Sequence, residues 1–153
     1  MRLVLLMINL WVVVACQAAS DTTAPQLAAD AVVSALVNTP YAAKVHDFKV
    51  VSRDYQDPKT QEWLRHHTIS ADVLNTYRGA EFEFIEFEMY TEIDETLSLD
   101  KAAVNIVLCE SEQGQLYWPG TGSIFPPTAE IDALFARSAN RVNIYQSYFS
   151  WCR

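Results

Sequence analysis

Between residues 45 and 118 apolar side chains return at every second position, and this period restricts the fold more than any other feature. Strand side chains alternate between faces, so the pattern predicts half-buried β-strands. Val45-His46-Asp47-Phe48-Lys49-Val50-Val51 reads as one strand. His67-Thr68-Ile69-Ser70-Ala71-Asp72-Val73 reads as another, with Ile69, Ala71 and Val73 on one face. The polar stretch from Asp54 to Gln61, containing Asp57-Pro58, separates them, and Arg78-Gly79 turns the second. In Glu81-Phe82-Glu83-Phe84 the apolar residues are even-numbered, whereas in Ile85-Glu86-Phe87-Glu88-Met89 they are odd-numbered. The phase slips once, between Phe84 and Ile85. A slip turns the buried side outward unless a β-bulge absorbs it, and a bulge bends the strand. A curved sheet is therefore expected. Val104-Asn105-Ile106-Val107-Leu108-Cys109 is almost continuously apolar, as in a strand covered on both faces. Gln113-Gly114 makes a hairpin turn into Gln115-Leu116-Tyr117-Trp118.

Helical spacing brackets these strands. Thr23-Ala24-Pro25-Gln26 has a capping residue and an early proline, and Leu27, Ala28, Ala31, Val32, Ala35 and Leu36 form an apolar stripe. This helix should stop at Asn38-Thr39, because the residue before Pro40 avoids the α region. Thr128 caps a second helix with Ile131, Leu134, Phe135 and Ser138 on one face and Glu130 and Asp132 at its positive end. An extended piece from Val142 to Tyr148 leads to Cys152. The order predicts an α+β fold: a small bent antiparallel β-barrel, OB-like, with flanking N- and C-terminal helices. A chain of 153 residues suits one such domain, spanning 25–153.

The segment before that domain reads as an export signal. Arg2 precedes an apolar run from Leu3 to Ala15, too short for a transmembrane helix, which needs roughly 20 residues. Val13-Val14-Ala15-Cys16 resembles the lipobox of bacterial lipoproteins. That resemblance implies removal of 1–15, acylation of Cys16, and a tether over 16–24. With Gln17 rather than Asp in second place, it implies the outer membrane, facing the periplasm. Cleavage after Ala18 or Ala19 is the alternative, giving a soluble periplasmic protein. In either case Cys109 and Cys152 remain as a pair in an oxidising compartment, where a disulfide is expected.

Thr68-Ile69-Ser70-Ala71-Asp72-Val73-Leu74-Asn75-Thr76-Tyr77-Arg78-Gly79 resembles a strand-and-turn pattern of the tissue-inhibitor-of-metalloproteinase/netrin-like OB-fold superfamily. The likeness covers roughly residues 45–120. It implies the fold and a binding role. Metalloprotease inhibition does not carry over: that chemistry needs a free N-terminal cysteine within Cys-x-Cys, and here Gln17-Ala18 follow Cys16.

Charge narrows the partners. Eleven Lys and Arg against nineteen Asp and Glu give a net −8, which disfavours nucleic acid. Glu81, Glu83, Glu86, Glu88, Glu92, Asp94, Glu95 and Asp100 run without an intervening Lys or Arg. They read as the solvated side of an amphipathic strand; the rival readings are a glycosidase-like pair and a surface for Ca²⁺ or a cationic partner. His66-His67 sit on opposite faces of a strand and cannot share one ion, so they read as surface or strand-end residues. Tyr117, Trp118, Ile124 and Phe125 lie in a Gly- and Pro-framed loop, either as recognition anchors or as caps on a barrel end. Tyr145, Tyr148, Phe149 and Trp151 read as core or rim packing. No catalytic motif, cofactor or metal is expected. The sequence reads as a non-enzymatic binding or accessory module, inhibitor- or immunity-like, whose partner is another envelope protein. Its binding surface is expected at Tyr117, Trp118, Ile124, Phe125, Glu86 and Glu88. The alternative is a cell-envelope hydrolase using carboxylates of the acidic strand.

Overall fold

Two long strands carry the architecture, and their length exceeds what alternation alone reveals. The computed structural model describes residues 24–99, 101–141 and 148–152. Helix α1 (Ala24–Val37) leads into β1 (Tyr41–Gln56) and β2 (Trp63–Arg78), followed by β3 (Phe84–Glu92) and β4 (Val104–Glu110). Short strands β5 (Leu116–Tyr117) and β6 (Ile124–Phe125), helix α2 (Ala129–Ser138) and a 3-10 turn (Ala139–Arg141) complete the order. The leader, Cys16, the Thr23 cap, Asp100, and Val142–Gln146 with Ser147 of the expected last strand lie outside the described residues.

The fold is α+β with a mostly antiparallel six-stranded sheet. Pairing runs β1-β2-β3-β5-β4 and returns from β4 to β1, so five strands form a ring, with β6 on β4. Only β3 and β5 are parallel. Ala43, Val45, Ile69, Ile85, Phe87, Ile106 and Leu108 fill the ring interior. The opposite faces of β1 and β4 supply Ala42 and Val107 to a second core with Leu36, Phe125, Leu134 and Phe135, between ring and helices. Strand β4 is apolar at consecutive positions because each face meets a different core.

Bending arises elsewhere than expected. Strand β3 pairs with β2 in unbroken register from Phe84 to Glu92, without a bulge at Phe84/Ile85. The pairing runs on past Phe84, where the Val73 amide donates to the Glu83 carbonyl at 2.9 Å, so the slip leaves Phe84 on the outward face of Glu86 and Glu88 instead of bending the strand. Phe82 and Phe84 stay 47% and 66% exposed, while Ile85, Phe87 and Met89 are buried. The register shifts lie in β1 instead, at Ala42/Ala43, Lys44/Val45 and His46/Lys49, where Asp47 adopts φ +53°. These irregularities curve the strand that must contact both β2 and β4.

The helices follow their capping chemistry. Thr128 Oγ1 accepts from the Ile131 amide, and Ile131, Leu134, Phe135 and Ser138 are the buried face of α2, as expected. Helix α1 ends before Asn38, also as expected, but among its described side chains Val32, Ala35 and Leu36 are buried and Ala28 and Ala31 exposed, the Leu27 side chain lying outside those described. Asp132 ties α2 to the ring, accepting from Lys44 Nζ at 2.6 Å and Asn105 Nδ2 at 2.7 Å. That hydrogen bond with Lys44 pulls the Asp132 carboxyl below its ordinary pKa and raises that of Lys44. Cys109 and Cys152 are bonded, with Cα atoms 5.4 Å apart, closing a separation of 43 residues. The bond holds Trp151 against the second core; Tyr148 is 70% exposed and Phe149 half-buried.

Arg78 joins the turn after β2 to both helical ends. Its guanidinium donates to the carbonyls of Leu36, Thr39, Pro40 and Ala139. Carbonyls at helix C-termini lack intrahelical partners and carry partial negative charge, so a fork of donors suits them. Burial pulls the Arg78 pKa down to about 10, which leaves it charged at neutral pH.

Candidate functional site

The parallel pair β3/β5 parts early, and a groove opens where it parts. Phe87 lies opposite Leu116 and Glu88 opposite Tyr117, and the Trp118 amide donates to the Glu88 carbonyl at 2.8 Å. Before Leu116 the chain folds back into the β4–β5 hairpin, where the Gly114 amide bonds the Ser111 carbonyl. Phe84, Ile85 and Glu86 pair with Asp72, Ala71 and Ser70 on one side but with no described strand on the other. A groove of about 520 Å³ fills this gap, between Glu81–Glu88 and Gly114–Leu116.

The groove combines apolar surface with one sign of charge. Phe82, Phe84, Ile85, Phe87 and Leu116 line it, with Glu81, Glu83, Glu86 and Glu88, and among the described residues there is no Lys or Arg in its wall. Alternation along β3 sends Ile85 and Phe87 into the ring and Phe84, Glu86 and Glu88 outward, so an exposed phenylalanine and the carboxylates share one face. Clustered carboxylates beside apolar walls focus negative potential outward.

The expected site residues are thus divided. Glu86 and Glu88 line the groove, and pairing sets Tyr117 opposite Glu88. Tyr117 and Trp118 turn to a second cleft of about 510 Å³, shared with Thr121, Ser150 and Trp151. Ile124 packs partly on the ring core. Phe125 is 8% exposed, its ring edge-on to Phe135 at 5.6 Å, so it serves the second core rather than a surface. The helices over β4 and β6 need an aromatic there. Cys16 lies outside the described residues.

The two histidines take opposite faces as expected, but both are only 2% exposed and neither is a surface residue. His67 is held between the hydroxyls of Ser52 (2.8 Å) and Thr91 (2.9 Å). Burial lowers its pKa, helped by the charges of Arg65 and His66. His66 accepts from Arg53 Nε at 2.9 Å, stacks on Tyr90 with centroids 4.6 Å apart, and lies 3.4 Å from Glu88 Oε1. Cross-strand neighbours cover both rings, a signal invisible until β1, β2 and β3 are aligned.

Among the described residues one group of potential metal ligands occurs, His46, Asp47 and Asp72, at the β1 irregularity. Its His46 Nδ1 is engaged by Asp47 at 2.7 Å and Asp72 is exposed. No protein-family model matches the chain, and no curated protein matches it.

Proposed function

We propose that this chain is an exported binding or accessory protein of the bacterial cell envelope, lipid-anchored through Cys16, without enzymatic activity, that engages its partner at the β3–β5 groove. The observation that carries the reading is that groove: apolar walls, four carboxylates and, among the described residues, no opposing cation. The Cys109–Cys152 disulfide suits an oxidising compartment. The leader and the Val13–Cys16 motif support anchoring from the sequence. Support for an OB-like barrel comes from the ring order β1-β2-β3-β5-β4 and the curved β1. The likeness of Thr68–Gly79 to the tissue-inhibitor-of-metalloproteinase/netrin-like superfamily rests on sequence alone.

Carboxylates sharing a groove with phenylalanines also suit the rival reading, a glycan hydrolase. A general acid is favoured by a carboxyl shielded from water; Glu81, Glu83 and Glu86 are exposed, and the half-buried Glu88 lies 3.4 Å from His66 Nε2. Two measurements test the proposal. Wild-type protein expressed with its leader should fractionate with membranes and the Cys16→Ala variant should not. A photoreactive residue replacing Phe84 should give a discrete envelope adduct, while one replacing Val51 should not. Equal labelling at both positions, or turnover of envelope glycan, sinks the reading.

A further inference from the structure

We infer that the groove takes an extended basic polypeptide, which adds to the open edge of β3 as a further strand. The inference deepens the proposed binding role and rests on the groove being its site.

The argument begins with main-chain direction. In a strand, successive residues send their N–H and C=O groups to opposite edges. The Glu88 carbonyl faces β5, where it accepts from Trp118, and the Glu83 carbonyl faces β2, where it accepts from the Val73 amide at 2.9 Å. Even-numbered residues of β3 therefore face the β5 edge. The parallel ladder closes at Phe87–Leu116. Ahead of it, both main-chain groups of Phe84 and the N–H of Glu86 point into the groove. Gln115, the next residue back along the facing chain, turns its amide and carbonyl to Ser111, and the Gly114 amide bonds the Ser111 carbonyl. An edge of unpaired donors and acceptors is a template for strand addition, and proteins usually blunt such edges. Among the described residues it is left open over a stretch where β2 already holds the other side in register.

Side chains then specify the guest. Strand addition alternates guest side chains between two faces. On this edge an inward residue extends the row of Ile85 and Phe87 beside Leu116, and an outward one meets Phe84 and the carboxylates of Glu86 and Glu88. The matching sequence alternates apolar residues with Lys or Arg. A second copy of this chain fits poorly, because edge-to-edge pairing would set its glutamates against the same glutamates at a net charge of −8.

The test uses the purified full-length protein and three synthetic nonapeptides: one alternating Lys with Val, its Lys→Glu counterpart, and a form of the first with alternate backbone nitrogens methylated. Titration calorimetry should show binding of the first, loss of at least about tenfold on methylation, and no binding of the glutamate peptide. Glu86→Pro, which deletes a groove-facing N–H without touching the β2 ladder, should weaken binding more than Glu86→Gln. Equal affinity for the methylated peptide overturns strand addition, and equal affinity for the glutamate peptide overturns the charge argument. A dimer cross-linked edge to edge assigns the edge to a second copy and overturns the proposal as well. If no peptide binds while the Phe84 adduct still forms, strand addition fails and the binding role stands; if both are absent, both fail.

Discussion

Replacing Arg78 by Met should destabilise the fold far more than any surface arginine does. The guanidinium donates to four carbonyls, those of Leu36, Thr39, Pro40 and Ala139. Leu36, Thr39 and Ala139 are at most 1% exposed, so water cannot readily take over the vacated acceptors. A hydrogen bond from a charged donor contributes about 1.5–3 kcal/mol, and stranded buried acceptors add to the loss. The four are not additive, because one group makes them all, and a net loss of about 3–5 kcal/mol follows. For a domain of this size that corresponds to a fall in Tm of about 10–15 °C. Methionine keeps the apolar stem, so packing changes little. Lysine should recover only part of the loss, since one ammonium cannot span four carbonyls with the fork of a guanidinium. The control is Arg65→Met, which breaks only the exposed pair with Asp54 at 3.1 Å and should cost less than about 1 kcal/mol. Urea unfolding followed by circular dichroism, with the disulfide intact, measures all three. A loss below about 1 kcal/mol for Arg78→Met refutes the view that this side chain clamps the two helical ends to β2.

Gly79 has φ +99°, and a Cβ there would lie 2.5 Å from Tyr41 Cδ2, so Gly79→Ala should cost about 1–3 kcal/mol by thermal unfolding. Gly114→Ala, at φ +79° with nothing nearer than 3.7 Å, should cost less. Cys152→Ser should lower stability by about 4 kcal/mol, as should reductant on the wild type; denaturant midpoints unmoved by reductant contradict this. His67 has a folded pKa below its ordinary 6.5, so the unfolded chain takes up a proton that the folded protein refuses. Its contribution is whole above that value and is lost as pH falls from about 6.5 towards the lowered folded pKa. The stability difference between about pH 7.5 and pH 5.5 should therefore shrink in His67→Gln, and an unchanged difference counts against the burial argument.

Legibility in the sequence follows how local each signal is. The α2 face was readable because Ile131, Leu134, Phe135 and Ser138 repeat on helical spacing against polar neighbours. The α1 face was not, since its small residues satisfy several helical faces equally and only packing selects Val32, Ala35 and Leu36. The full extent of β1 was hidden because residues from Lys49 onward are exposed on both faces and leave no alternation to find. The phase slip at Phe84 was real, but it leaves Phe84 exposed on the outward face of β3, and the curvature lies in β1. Of the expected surface, Glu86 and Glu88 reached a groove and Phe125 went to the core.

The sequence alone determined the pairing of Cys109 with Cys152, the helix limits at Pro40 and Thr128, and the covered position of β4. Each follows from chemistry within a few residues or, for the cysteines, from the expectation that Cys16 belongs to an export leader. The tertiary structure decided which carbonyls Arg78 meets, what encloses His66 and His67, and where β5 leaves β3 to open a main-chain edge. Periodicity reports which side of a segment faces a core, but it carries no information about which distant strand lies alongside. Only closure of the ring supplies that.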